Sequence, residues 1–339
     1  MKVAINGFGR IGRALFRLGF GEASFDIVAI NDPFITPDVA RYLLSRDSVY
    51  GRYNKKVEAT ENALIVDGVT VPLLGERAPA ALPWGDMGID LVIESTGVFR
   101  ALTGPKGCSQ HMDAGAKRVL LSVPPKGDGA EQIPQIVYGV NHQGIDLAAT
   151  RVLSAASCTT NSLVPVAHVL ETQFGIKHAF LTTVHGYTAD QRLVDSAHSS
   201  LSRGRAAALN IVPTSTGAAK ATTKVITNLL GKMDGMAFRV PVATGSVSDF
   251  TVEMKQEVSA EDVNAALRSA AEGPLAGILG VSDDPMVSSD IIRDPHASMV
   301  DLSSTKVVDK TMLKVVTFYD NEWGYTNQLL RVAKLAQTA

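Results

Sequence analysis

Two short stretches of the chain carry side chains suited to covalent chemistry. In Ser157-Cys-Thr-Thr-Asn161 a single cysteine sits among hydroxyl and amide groups, and Val152 to Leu170 contains no Asp, Glu, Lys or Arg. Cys158 lies between a candidate strand, Arg151–Ala155, and a helical pattern running to Gln173. That places it at a helix N-terminus, where the dipole and unpaired N–H groups favour thiolate over thiol. A lone cysteine is more often a small buried hydrophobe. Its polar, uncharged setting at a strand-to-helix turn singles this one out. Pro165, within the first two turns, predicts an irregular helix start. A thiol nucleophile needs a base, and His185, ending the β-rich run Phe180-Leu-Thr-Thr-Val-His185, is the matching candidate. The chain has seven histidines, and spacing alone does not select among them.

The second motif is Gly7-Phe-Gly-Arg-Ile-Gly12, between a short apolar strand pattern and a helical one. In such a loop Gly7 permits the tight turn, Gly9 lets backbone approach a pyrophosphate, and Gly12 lets helix and strand pack closely. The helix start then offers its N–H groups to phosphate. Asp32 follows twenty residues after Gly12, at the end of the second strand pattern. A carboxylate there suits ribose hydroxyls and repels a 2′-phosphate, which favours NAD over NADP.

A third set suits anions. Thr214-Ser-Thr-Gly217 is flanked by Arg205 and Lys220 with no charge between, while Arg203 and Arg239 lie near or within apolar runs. Hydroxyls with one or two guanidiniums can bind a dianion. Acids in these stretches would repel it. Taken singly, each of these residues is as well explained by a turn, a cap or a solvated charge.

These residues need two kinds of scaffold. Strand patterns at Val3–Asn6, Ile27–Asn31, Leu91–Glu94 and Val119–Ser122, with a helix over Arg10–Gly21, predict a parallel sheet with helices on its faces. Ala63–Val71, with Asp67-Gly68 at its turn, reads as a hairpin inserted locally. After residue 156 the strand patterns lengthen: Ala179–His185, Ala237–Val242, Phe250–Lys255 and Leu313–Asp320. Helical patterns lie between them at Ala218–Leu230 and Ala260–Ala271, the latter capped by Ser259. This predicts an α+β domain with a mainly antiparallel sheet. Gly186 to Pro213 lacks periodicity, and a loop that long is usually functional or an interface. A last helix, Glu322–Ala336, follows Asn321 as its N-cap.

The chain has 339 residues, which favours two domains. Charged residues make up 19 %, low enough to suggest further surface buried by self-association. A net charge of -2 gives no call for nucleic acid or an acidic membrane as partner. Cys108 and Cys158 stand 50 positions apart without metal-ligand spacing, so no metal is expected and a reducing cytoplasm is. The apolar run at Val3 is read as leaving no room for an export signal.

Taken together these residues closely resemble the bacterial and eukaryotic glyceraldehyde-3-phosphate dehydrogenase family. The matching pieces include Asn6-Gly-Phe-Gly-Arg-Ile-Gly-Arg13, Glu94-Ser-Thr-Gly97, Ser157-Cys-Thr-Thr-Asn161, Thr182-Thr-Val-His185, Pro213-Thr-Ser-Thr-Gly217 and Asn321-Glu-Trp-Gly-Tyr325. They run in family order along essentially the whole chain. The resemblance implies an α/β fold: a Rossmann domain over residues 1–156 with the terminal helix 322–339 packed on it, and an α+β catalytic domain over 157–321. It implies that Cys158 attacks an aldehyde, that His185 takes the proton, and that phosphate cleaves the resulting thioester. Gly7, Gly9, Arg10, Ile11, Gly12, Asp32, Thr96, Gly97, Ser122, Asn321 and Tyr325 are then cofactor residues, with Asn321 orienting the carboxamide. Thr188 and Arg239 would hold the substrate's phosphate. Ser157, Thr159, Arg203, Thr216 and Gly217 would hold the attacking phosphate. A homotetramer is implied as well. Asp195-Ser-Ala-His198 stands where NAD-dependent members usually have Asp-Leu-Pro-His, so use of NADP stays open. Erythrose 4-phosphate is the rival substrate, and a non-catalytic NAD-binding regulator is the rival of another class.

Overall fold

The computed structural model describes residues 1–337, and the chain divides into two compact units. The first contains Met1–Ile136, His142–Ala156 and the chain from Leu329 onward; the second contains Val137–Asn141 and Ser157–Gln328. The last two residues of the expected terminal helix, Thr338 and Ala339, lie outside the described part.

In the first unit eight strands form one sheet, in the order Val152–Ser154, Arg118–Leu121, Leu91–Glu94, Lys2–Asn6, Asp26–Asn31, Val69–Leu74, Ala63–Val66 and Val57–Ala59. From Val152–Ser154 to Val69–Leu74 each neighbouring pair is parallel. Val3, Ala4 and Ile5 are wholly buried in succession, as befits a strand covered on both faces. The helix Arg10–Gly19 follows the first strand and buries Leu15 and Phe16. It stops two residues short of Gly21. Ala63–Val66 and Val69–Leu74 form the expected hairpin, turning at Asp67 and Gly68 with φ of 47° and 84°. It is not a mere insertion: Leu73 and Leu74 pair in parallel with Ile30 and Asn31 and extend the main sheet. The local turn was readable, whereas the non-local pairing depends on contacts that no short pattern encodes.

The second unit holds a seven-stranded sheet in the order Val212–Ser215, Met233–Val240, Ile176–Gly186, Ser246–Met254, Met312–Tyr319, Ser298–Val308 and Leu279–Ser282. It is mainly antiparallel; Ile176–Gly186 with Met233–Val240, and Leu279–Ser282 with Ser298–Val308, are the parallel pairs. Ser246–Met254 alternates buried and half-buried residues along its length, the signature of one covered face. The covering helix is Cys158–Gln173, which runs unbroken through Pro165 and packs on strands Met312–Tyr319 and Ser298–Val308. Ala218–Val225 ends five residues before Leu230, giving way to a 3-10 turn at Thr227–Leu229. Ala260–Glu272 starts with a full capping box between Ser259 and Asp262. Among the described residues no helix is long and apolar enough to cross a membrane.

Candidate active site

The second unit brings the expected nucleophile and base together. Cys158 is the first residue of its helix, and Ser157 is the N-cap, its Oγ accepting the Thr160 N–H at 3.1 Å. The residue before the cap, Ala156, has φ of 56°, a left-handed conformation that costs energy for any residue with a side chain. That turn aims the start of the helix at the end of strand Ile176–Gly186. His185 Nε2 lies 3.4 Å from Cys158 Sγ. The imidazole Nδ1 is 2.7 Å from the Gly186 carbonyl, so Nδ1 carries the hydrogen and donates it, and Nε2 faces the sulfur as acceptor.

Strand register supplies the third member. His185 pairs with Arg239 across the parallel strands, which sets both side chains on one face. Arg239 Nη1 donates to the Gly186 carbonyl at 3.1 Å and to Thr188 Oγ1 at 3.2 Å. It stands 3.1 Å from His185 Nδ1, and the buried Arg239 Nε has no partner among the described residues. An orphaned guanidinium donor beside a threonine hydroxyl suits an incoming oxyanion.

Burial and this cation decide the protonation states. Desolvation, then the positive charge of Arg239, depress the His185 imidazole to about 3, so the ring rests neutral. Burial also pushes the Cys158 thiol up, against Arg239, the Thr159 hydroxyl and backbone N–H groups, which all favour the thiolate. The helix terminus therefore does not by itself give the resting thiolate expected above, because removing the sulfur from water outweighs it. The pair rests as thiol and neutral imidazole, poised for transfer of one proton between them.

Tyr319 was not singled out from sequence. Its hydroxyl joins Thr159 Oγ1 at 2.9 Å and Thr183 Oγ1 at 2.8 Å, tying the nucleophile's helix to the base's strand. Its ring meets the His185 ring edge-on, with centroids 6.0 Å apart. Nothing local marks a tyrosine that ends an apolar strand, and only the folded register shows its neighbours. Asn321 also differs from expectation. Asp320, not Asn321, caps the last helix, Trp323–Leu335, accepting the Glu322 and Trp323 N–H groups at 2.9 and 2.7 Å. Asn321 Oδ1 instead accepts from Gly245 N–H at 3.1 Å and Ser246 Oγ at 2.9 Å. That fixes its amide plane and leaves the NH2 end to orient a ligand. Tyr325 is buried, and burial pushes its hydroxyl well above the usual tyrosine range.

The other anion-binding candidates lie on the same unit. Arg203 Nε donates to Thr214 Oγ1 at 2.9 Å, and Arg203 is ion-paired with Asp190. Thr216 Oγ1 accepts the Ala218 N–H at 3.2 Å, and Gly217 begins the helix Ala218–Val225 without a side-chain cap.

The residues of the first unit fit a dinucleotide. Gly7 has φ of 94°, and a Cβ there would stand 2.7 Å from Thr96 N. A Cβ on Gly12 would stand 2.2 Å from the Gly7 carbonyl oxygen, so helix and strand pack this closely only with glycine. At Gly9 a Cβ would meet nothing within 4 Å, and no side chain caps the helix that follows. Open space therefore faces the first N–H groups of that helix, the requirement for a pyrophosphate. Arg10 and Ile11 open that helix; Arg10 is ion-paired with Asp47 and lies over the Tyr50 ring. Asp32 accepts the Phe8 and Phe34 N–H groups at 2.9 and 3.0 Å, pinning the glycine loop to the second strand. A cavity of about 380 Å³ is lined by Gly7, Gly9, Asp32, Phe34, Arg77 and Thr96. Arg77 stacks over Phe34 with 5.1 Å between guanidinium carbon and ring centre, a flat surface missed in the sequence. Gly97 is exposed beside Thr96, while Ser122 is buried at the end of Arg118–Leu121. Beneath the cavity, the buried Glu94 carboxylate accepts from Asn6 Nδ2 at 2.6 Å and Thr96 N–H at 2.8 Å, with His111 Nε2 at 3.1 Å. It joins the ends of two strands that carry cofactor loops.

An amide at position 32 removes the charge and keeps one of the two acceptor oxygens, since Phe8 N–H and Phe34 N–H bond to different oxygens of Asp32. Asp32→Asn is expected to raise the NADP-to-NAD ratio of kcat/KM by about 10- to 100-fold. Steady-state rates with both cofactors check this, and an unchanged ratio would refute it.

Comparison with known proteins gives two family matches. The model of the glyceraldehyde 3-phosphate dehydrogenase NAD binding domain matches residues 1–102, and that of its C-terminal domain matches residues 157–321. Glyceraldehyde-3-phosphate dehydrogenase of Borreliella burgdorferi is 51 % identical over 99 % of both chains. That of Mycobacterium avium is 49 % identical over 99 % of this chain and 98 % of its own. Glyceraldehyde-3-phosphate dehydrogenase 1 of Bacillus subtilis is 46 % identical over 98 % of this chain and 97 % of its own.

Proposed function

The chain belongs to the glyceraldehyde-3-phosphate dehydrogenase family, and from that premise we propose that it oxidises glyceraldehyde 3-phosphate to 1,3-bisphosphoglycerate through a thioester on Cys158. The observation that carries this is the 3.4 Å approach of Cys158 Sγ to His185 Nε2 beside Arg239. Arg239 and Thr188 hold the substrate's phosphate, which offsets the cation that, after burial, keeps His185 neutral. Cys158 then forms a carbon–sulfur bond to the aldehyde carbon while its proton passes, by way of His185, to the carbonyl oxygen. His185 next accepts that hydroxyl proton as the thiohemiacetal becomes a thioester. NAD, when bound, supplies the hydride acceptor for this oxidation. Inorganic phosphate, held by Arg203 with Thr216 and Gly217, attacks the thioester carbon. The carbon–sulfur bond breaks, and the sulfur is reprotonated.

Exposed apolar side chains on the segment after His185, namely Leu193, Val194, Leu201, Leu209 and Ile211, support assembly into a homotetramer. Two free cysteines support a reducing, cytoplasmic setting.

The test is the rise in reduced-nicotinamide absorbance with glyceraldehyde 3-phosphate and NAD, with and without inorganic phosphate. Turnover should require phosphate and should exceed that with erythrose 4-phosphate. A strong preference for the four-carbon sugar, or sustained turnover without phosphate or arsenate, would overturn the reading.

A further inference from the structure

Outside the uncharged stretches, an acid stands against one of the anion-binding candidates. Asp190 lies two residues after Thr188, on the exposed segment that also carries Arg203. Its carboxylate is paired with Arg203 Nη1, while the remaining donors of that guanidinium reach Thr214 Oγ1 at 2.9 Å and, more weakly, the Ser215 carbonyl at 3.4 Å. One donor of that guanidinium is therefore already engaged by an internal anion. The two partners differ in mobility: the Asp190 side chain is 53 % exposed and the Arg203 side chain 20 %. A half-solvated carboxylate can turn into water at small cost, whereas Arg203 is braced by Thr214.

The neighbours point the same way. His198 Nδ1 accepts the Ser200 N–H at 2.8 Å, so its Nε2 carries the hydrogen and faces Asp190 Oδ1 at 3.6 Å. This gives the carboxylate a second partner away from Arg203. The charge of Asp190 is also felt by Arg239, and that of Arg203 by His185, so these four groups share one electrostatic field. Partial burial pushes the Asp190 carboxyl up, but the hydrogen bond and charge of Arg203, together with His198, outweigh this and hold it below the usual carboxylate range. It is therefore anionic wherever phosphate is a dianion.

We propose that Asp190 is an internal competitor of inorganic phosphate: it occupies Arg203 until phosphate displaces it, and so sets the affinity for the attacking anion. This rests on the reading that Arg203 receives that phosphate. The exchange swaps one ion pair for another and leaves no bare guanidinium, which would otherwise hold any passing anion. The competing explanation is that Asp190 only braces Arg203.

The two roles predict opposite signs. In the full-length protein, with phosphate varied at saturating aldehyde and NAD, Asp190→Asn should lower KM for phosphate by about three- to fivefold, the scale of a half-exposed ion pair. Inhibition by sulfate, competitive with phosphate, should tighten by a similar factor, and KM for NAD should not move. Asp190→Ala, which also removes the hydrogen bond, should lower KM for phosphate as well. Arg203→Met should raise it. If Arg203→Met raises KM for phosphate while both Asp190 variants raise it or leave it unchanged, Asp190 is a brace and the proposal is overturned. If Arg203→Met leaves KM for phosphate unchanged, the assignment of Arg203 to phosphate fails, and the proposal falls with it.

Discussion

Cys158→Ser is expected to lower kcat/KM for aldehyde oxidation by at least about a thousandfold, a loss of the size seen when a nucleophile is removed from a catalytic unit. The sulfur rests as a thiol because burial pushes it up. Even so, it can pass its proton to an imidazole 3.4 Å away when the pocket is filled. A serine hydroxyl begins several units higher on the acidity scale, and its shorter bond to Cβ draws the oxygen away from Nε2. It also makes a poorer leaving group than a thiolate, so an ester would resist phosphate where a thioester yields. NAD binding should survive, because Gly7, Gly9, Gly12 and Asp32 belong to the other unit. Calorimetric titration with NAD beside an activity assay separates the two effects. Oxidation within tenfold of the unmodified protein would sink the thioester scheme.

The reaction centre was legible to different depths because its parts depend on different ranges of sequence. The glycine loop is local: φ of 94° at Gly7 and the 2.2 Å approach at Gly12 are demands that only glycine meets, so the motif announces them. The position of Cys158 was also local, since Ser157 is a cap and the strand before it is short. His185 was a candidate among seven, and its selection needed the fold that carries the end of Ile176–Gly186 to the start of the helix. Non-local register hid the rest. Tyr319 reads as core until Thr159 and Thr183 are seen on either side of its hydroxyl. Asp190 carries no local signal, because its pairing with Arg203 crosses a segment without periodicity. Val69–Leu74 looked like half of a hairpin because its pairing with Asp26–Asn31 spans some forty residues.

His185→Asn tests whether the base, rather than the helix end, activates the sulfur. The amide can reach toward the place of Nδ1 and donate to the Gly186 carbonyl, but nothing replaces Nε2 beside the thiol. Loss of a positioned base is expected to lower kcat by about 10²- to 10⁴-fold. Iodoacetamide should also alkylate Cys158 more slowly at neutral pH, since the proton must then leave to water from a thiol that burial holds up. Alkylation equal to that of the unmodified protein would show that backbone N–H groups and Arg239 suffice. Stability should change in a defined direction as well. The native imidazole is depressed from 6.5 to about 3, so between those values the unfolded chain binds a proton that the native chain refuses. The stability tied to this group is complete above pH 6.5 and is lost as pH falls toward 3. An asparagine has no such proton to refuse. Urea midpoints of the variant should therefore fall less between pH 7 and pH 4.5 than those of the unmodified protein. Parallel falls would mean that His185 takes up its proton in the native state at ordinary pH, and the neutral base on which the proposed proton transfer depends would have to be abandoned.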